Sequence, residues 1–249
     1  NTVIGYLAGS GIDNVSADDN VIIGNNAGIG GSGDISLCVA IGSEALNSSA
    51  GNDQEGTVAI GANALTALTT GSGNTAIGYQ SLDGETTGSN STAIGYQTLT
   101  GQDGGANNTA VGCQAGLVVG TGERNTIIGF QALKSDDDSD SSTAVGYHSL
   151  YTQNAGTGVS GNTAVGAESG FYNVTGTNNT AVGYNAMKGA SGNSNSGNTA
   201  VGKNAMLAVT TGGTNTCMGL GAAEAITDGA NNVFIGYGAG AHNISFTTG

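Results

Sequence analysis

Along this chain a β-branched residue, a small residue, a second β-branched residue and a glycine recur in that order, as in Thr75-Ala76-Ile77-Gly78, Thr109-Ala110-Val111-Gly112 and Thr180-Ala181-Val182-Gly183. With the glycine as pivot, the copies end at Gly5, Gly24, Gly42, Gly61, Gly78, Gly95, Gly112, Gly129, Gly146, Gly166, Gly183, Gly202, Gly219 and Gly236. The position before the pivot is Ile or Val in every copy but one, where it is Met218, and the position three before it is always Thr or Val. β-branched residues at alternate positions predict a short strand, because their stiff side chains suit a pleated surface and disfavour a helix. The pivots lie 17 to 20 residues apart, and the extra residues fall in stretches such as "GASGNSNSG" at 189–197. A fixed coil with a tolerant turn is the implied unit.

Three residues after the pivot every copy has Ala, Ser or Thr, and the next position is mostly Leu, Met or Gly. This predicts a second short strand or a corner that closes the coil. Seventeen residues at about 3.3 Å each give a perimeter near ~56 Å, room for two strands and two turns. The predicted fold is therefore all-β: a parallel β-solenoid, a flattened β-roll of about fourteen coils of 17–20 residues, in one repeat array over 1–249. At about 4.8 Å per coil it would rise roughly 65 Å. Each residue then sits over its equivalent in the next coil. Asn, four before the pivot in ten copies, is expected to ladder through side-chain amides, and the pivot Gly to relieve a bend where a Cβ would collide. Pro would delete a ladder donor in every column, and the chain has none.

Strand residues alternate in direction. If the Thr/Val and Ile/Val columns point inward, the residues between them point out, and Ala76, Ala93, Ala110, Ala144, Ala164, Ala181 and Ala200 form a small apolar outer face. A strand apolar on both sides is normally covered on both. This predicts self-association of the chain along the Ala column, as a homo-oligomer or a head-to-tail fibre.

Composition narrows the function. With 47 Gly, no Pro and 9% charged residues the chain is neither collagen-like nor an average globular domain. Four Lys and Arg against 18 Asp and Glu give a net charge of −14, which makes nucleic acid and anionic membrane poor partners. Membrane insertion is not expected, since no apolar run approaches the ~20 residues a spanning helix needs. The chain starts at Asn1 without Met, as a processed product or a slice of a longer array would. Its last residues, "ISFTTG", followed by its first, "NTVIGY", would reproduce the internal junction.

Candidate chemistry is sparse. Asp136, Asp137, Asp138 and Asp140 in "KSDDDSDSS" are a cluster of hard oxygen ligands suited to Ca²⁺, with Asp18 and Asp19 a smaller one, neither in an EF-hand pattern, and no other cofactor is implied. Cys38, Cys113 and Cys217 fall several coils apart and in different columns, without disulfide or zinc spacing. His148 and His242 have no nucleophile or acid recurring beside both, so no catalytic residue is assigned and no enzyme is expected. Aromatics after the pivot (Tyr79, Tyr96, Phe130, Tyr147, Tyr184) would form a strip, either packing at a corner or meeting a surface glycan.

The phrases N-T-A-[IV]-G-[YF]-[NQ]-[AS]-[LM] and T-T-G-x-x-N-T resemble the head repeats of trimeric autotransporter adhesins, the YadA-like left-handed β-roll, and related repeats in phage tail fibres. The resemblance covers all fourteen coils, although these are longer than in the adhesin heads and show no heptad stalk, neck or anchor. It implies a trimer, an extracellular, cell-surface or virion-surface location, and adhesion to a surface glycan or protein receptor. The leading expectation is a structural fibre or adhesin segment, a stiff rod for attachment or filament formation. The alternatives are an ice-binding solenoid using the Thr ladder from Thr75 to Thr216, and a tail-fibre receptor-binding segment.

Overall fold

The structure, a computed structural model, describes residues 1–12, 17–29, 35–47, 54–156 and 158–241. Over them the chain is all-β, a parallel β-solenoid of about thirteen turns with strands about 17 residues apart. Three-residue strands run from Thr2–Ile4 to Val233–Ile235, each followed directly by its pivot glycine. By its contacts the chain divides into two compact units, Asn1–Arg124 and Asn125–Gly249, and each carries seven of these strands.

Within each unit the strands pair in parallel, column on column. Thr75, Ala76 and Ile77 face Thr92, Ala93 and Ile94 in the first unit, and Thr180, Ala181 and Val182 face Thr199, Ala200 and Val201 in the second. The register does not slip across the longest interval, where Thr143 still pairs with Thr163, so the turn absorbs all the extra residues. The opposite wall is less regular. It forms two-residue strands at Ile35–Ser36 with Gln54–Glu55, and at Ser139–Asp140 with Gly158–Val159. The residues after the pivot make a corner rather than a second strand. Leu82, Leu99, Met187 and Met206 sit there at positive φ with their side chains fully buried.

Two devices lock one coil to the next. The pivots from Gly5 to Gly219 have φ between +132° and +145°, and within each unit, from Gly5 to Gly95 and from Gly129 to Gly219, a Cβ on the pivot would meet the next pivot's carbonyl group. Asn, four before the pivot, fastens the other side. Asn198 Oδ1 accepts from the Asn215 backbone N–H at 2.9 Å, and its Nδ2 donates to the Gly212 carbonyl at 2.8 Å. Asn74, Asn125, Asn162 and Asn179 repeat this grip. The expected side-chain ladder is thus mainly a side-chain-to-backbone clamp, which satisfies a buried N–H and a buried C=O at once.

The Ala column faces inward, which corrects the expected orientation. Ala76, Ala93, Ala110, Ala144, Ala164 and Ala200 have no exposed surface within the single chain, and Ala181 is 2% exposed. The reason is volume. The coil is narrow, and the corner residue four after the pivot is buried within it, so a methyl is what mostly stands opposite a Leu or Met, with Ile127 opposite Leu133 as the exception. In two of the coils with a larger inner strand residue the corner residue is Gly: a Cβ on Gly28 would touch Ile22 at 3.0 Å, and one on Gly240 would strike the Phe234 ring; in a third, Ile127 and Leu133 are both fully buried. Close packing of a fixed cross-section explains the pairing of large with small.

Candidate interaction face

With Ala inside, alternation turns the Thr/Val and Ile/Val columns outward, and the residue after the pivot joins them. These three columns form one face on each unit. On the first unit Ile94 (37% exposed) and Val111 (36%) lie on it beside the exposed ring of Tyr96, and on the second Ile128 (41%) and Val165 (37%) lie on it beside those of Phe130 and Tyr147. Across these three positions of every coil there is no Asp or Glu, although the chain has 18, and Lys203 is the one charge. Soluble monomers rarely expose an apolar surface this continuous. Sequence reasoning had the columns and missed their direction.

The aromatics of this face stack on one another along the coils. Tyr79 and Tyr96 lie 5.4 Å apart at 17°, and Phe130 and Tyr147 lie 5.7 Å apart at 9°. Within a pair, each ring covers a face that a sugar would need, so the strip is built to pack rather than to present platforms. Beside it Gln97 donates to Gln80, and Gln114 to Gln97, at 2.9 and 3.0 Å.

Five residues after the pivot, consecutive coils of the second unit bring Lys134, Tyr151, Phe171 and Lys188 into one column. The Tyr151 and Phe171 rings stack at 4.9 Å and 8°, and the two ammonium groups close the stack from either end, Lys134 at 5.2 Å from the Tyr151 ring and Lys188 at 5.8 Å from the Phe171 ring. Lys188 also pairs with Glu168, and Lys134 donates to the Tyr151 hydroxyl at 3.2 Å. His148 lies against Tyr147 at 3.8 Å and is hydrogen-bonded to Gln131, with burial as the main cause holding its pKa below the ordinary value. His242 lies outside the described residues. The sequence carried this column only when the coils are aligned on their pivots.

The four aspartates do not converge as a Ca²⁺ site would require. Asp136 is buried inside the coil, with Oδ2 accepting from Gln153 Nε2 at 3.2 Å, while Asp137 is exposed on the turn and Asp138 and Asp140 are half-buried. Among the described residues no group of three or more His, Cys, Asp and Glu could hold a metal ion. Burial raises the Asp136 pKa to about 6, against the lowering effect of Ser139 and Gln153.

All three cysteines are free. Cys38 is buried with its thiol directed at the Gln54 and Ser36 carbonyls, and burial raises its pKa; Cys217 is buried and pushed up to about 11. Cys113 is half-buried and stands in the exposed column after the pivot, on the apolar face. No protein family model, no curated protein and no solved structure matches this chain.

Proposed function

We propose that the chain is a structural element that associates with further copies of itself through the outward Thr/Val, Ile/Val and aromatic columns, forming the rod of an extracellular fibre or adhesin. The continuous exposed apolar face carries this reading. A second copy is the partner that fits, because each coil repeats the same residues and one such face meets another without placing a carboxylate in the contact. Elsewhere the net charge of −14 keeps copies apart. The resemblance to adhesin heads and tail fibres points to three chains and to a cell or virion surface.

The test is the oligomeric state of the full chain by sedimentation at micromolar concentration. The double variant Ile94→Asp, Val111→Asp places charges on the outer face, so the variant becomes monomeric with its β circular dichroism intact. Ala93→Asp places one inside the coil and unfolds the chain. A wild-type monomer would sink the proposal. The outward Thr column then favours the ice-binding reading, against which the bulky rings beside it now weigh.

A further inference from the structure

Seven residues after the pivot lies an interior column, filled in four coils by Leu68, Val119, Val209 and Ile226. In two others it holds a carboxylate, Glu85 or Asp136, followed one coil later by a buried glutamine, Gln102 or Gln153. The two pairs differ in how the carboxylate is met. Glu85 Oε1 accepts from the backbone N–H groups of Thr87, Gly88 and Gly104, and Oε2 from Gln102 Nε2 at 2.7 Å. Asp136 is one methylene shorter, and against the burial that raises its pKa it is the Ser139 hydroxyl and backbone N–H on its own turn that lower it.

Its Oδ2 accepts from Gln153 Nε2 at 3.2 Å, but that amide is nearer to the hydroxyl oxygens of Ser142 and Ser160, at 2.9 and 3.1 Å. Asp136 Oδ1 and the buried Ser139 hydroxyl make no full hydrogen bond, and burial raises the carboxyl's pKa by more than Ser139 lowers it. The nearby charges bring no relief. Asp137 on the same turn repels, Asp138 and Asp140 add like charge to that turn, and the next coil faces Asp136 with the neutral Gln153 and Ser160. Lys134 directs its ammonium to Tyr151 instead.

We propose that the coil containing Asp136 is a pH-gated seam in the solenoid, closed when the buried carboxyl is protonated and loosened when it ionises. Protonation removes a buried charge that Ser139 and Gln153 offset only in part, and supplies a donor to a turn in which Oδ1 and the Ser139 hydroxyl make no full hydrogen bond. The folded carboxyl titrates near pH 6, above its ordinary 3.8. A group raised in the folded state stabilises it fully below the unfolded value, and that stability is lost as pH rises through the folded one, so the window is about pH 4 to 6. This device stands apart from the self-association reading, since Asp136 is interior.

Amide hydrogen exchange of the full chain at pH 5 and pH 7.5, corrected for intrinsic rates, is the test. Opening of the coils across 136–162 should be about tenfold more frequent at pH 7.5, the ratio that a shift from 3.8 to about 6 dictates. Asp136→Asn should remove the dependence. Equal opening at the two pH values, or an unchanged response in the variant, overturns the seam. Should the variant fail to fold, the carboxyl ¹³C signal of wild-type Asp136 decides: a midpoint near 6 supports the proposal, and one near 4 overturns it.

Discussion

At the scale of single residues, Asn and Gly do different parts of one task. Asn four before the pivot supplies an acceptor and a donor to the neighbouring turns, where the narrow coil admits no water to replace them. Asn198→Ala would leave the Asn215 N–H and the Gly212 carbonyl unpaired in the interior. The expected cost is roughly 2–4 kcal/mol, seen as a lower midpoint in chemical denaturation with the slope unchanged. The column was legible in the sequence because stacking repeats whatever works at one level. The partner was not, since an amide can bond its own kind or the backbone with equal chemical sense. In the sequence Asp136 stands out only as a member of a Ca²⁺-suited cluster, because the run of aspartates around it masks its place in the column of Leu68, Val119 and Val209. Aligning the seventh position after each pivot is the signal that finds it.

The element is the strand with its corner, and here the sequence was half legible. Period and strand placement follow from the β-branched alternation, and the structure keeps them. Direction does not follow, because alternation defines two sets without saying which is inside. Size weighs most: in most coils a buried corner Leu or Met leaves room for Ala inside and turns Ile or Val out, and the coil of Ile127 and Leu133 is the one that takes both. The pivot belongs to this scale as well. A Cβ on Gly183 would lie 2.7 Å from the Gly202 carbonyl, at φ +133°, whereas Gly192, at φ +83°, has nothing within 4 Å of an added Cβ. Gly192→Ala should therefore cost only the ~1–2 kcal/mol of a left-handed backbone. Gly183→Ala should cost clearly more, since the strands above and below must separate to admit the methyl. Comparing the two by thermal unfolding reads the stacking contact together with the steeper backbone cost of φ +133°, and equal losses would mean that the methyl is admitted without separating the strands.

At the scale of the whole molecule the governing contrast is between an acidic chain and an acid-free apolar face. Self-repulsion from a net charge of −14 opposes association, and burial of the Ile, Val and aromatic columns favours it. Cys113 turns this balance into a measurement. It lies on that face and is the one cysteine of the three that is not buried, whereas burial holds the Cys217 thiol up at about 11 and raises that of Cys38. If copies associate in parallel and in register, Cys113 of one copy lies at the same level as Cys113 of the next. Mild oxidation should then link chains in pairs through this residue, and Cys113→Ser should abolish the link. Raising ionic strength from 0.01 to 0.15 M shortens the screening length from about 30 to about 8 Å, so the yield of linked chains should rise with salt. Because Cys113 stands in the seventh of the fourteen coils, antiparallel copies in full overlap would also bring it within one coil (~4.8 Å) of its mate, so the link reports association through this face and not the direction of the copies. A yield that fell with salt would instead mean that charge pairs hold the copies together, and the apolar face would lose its assigned role.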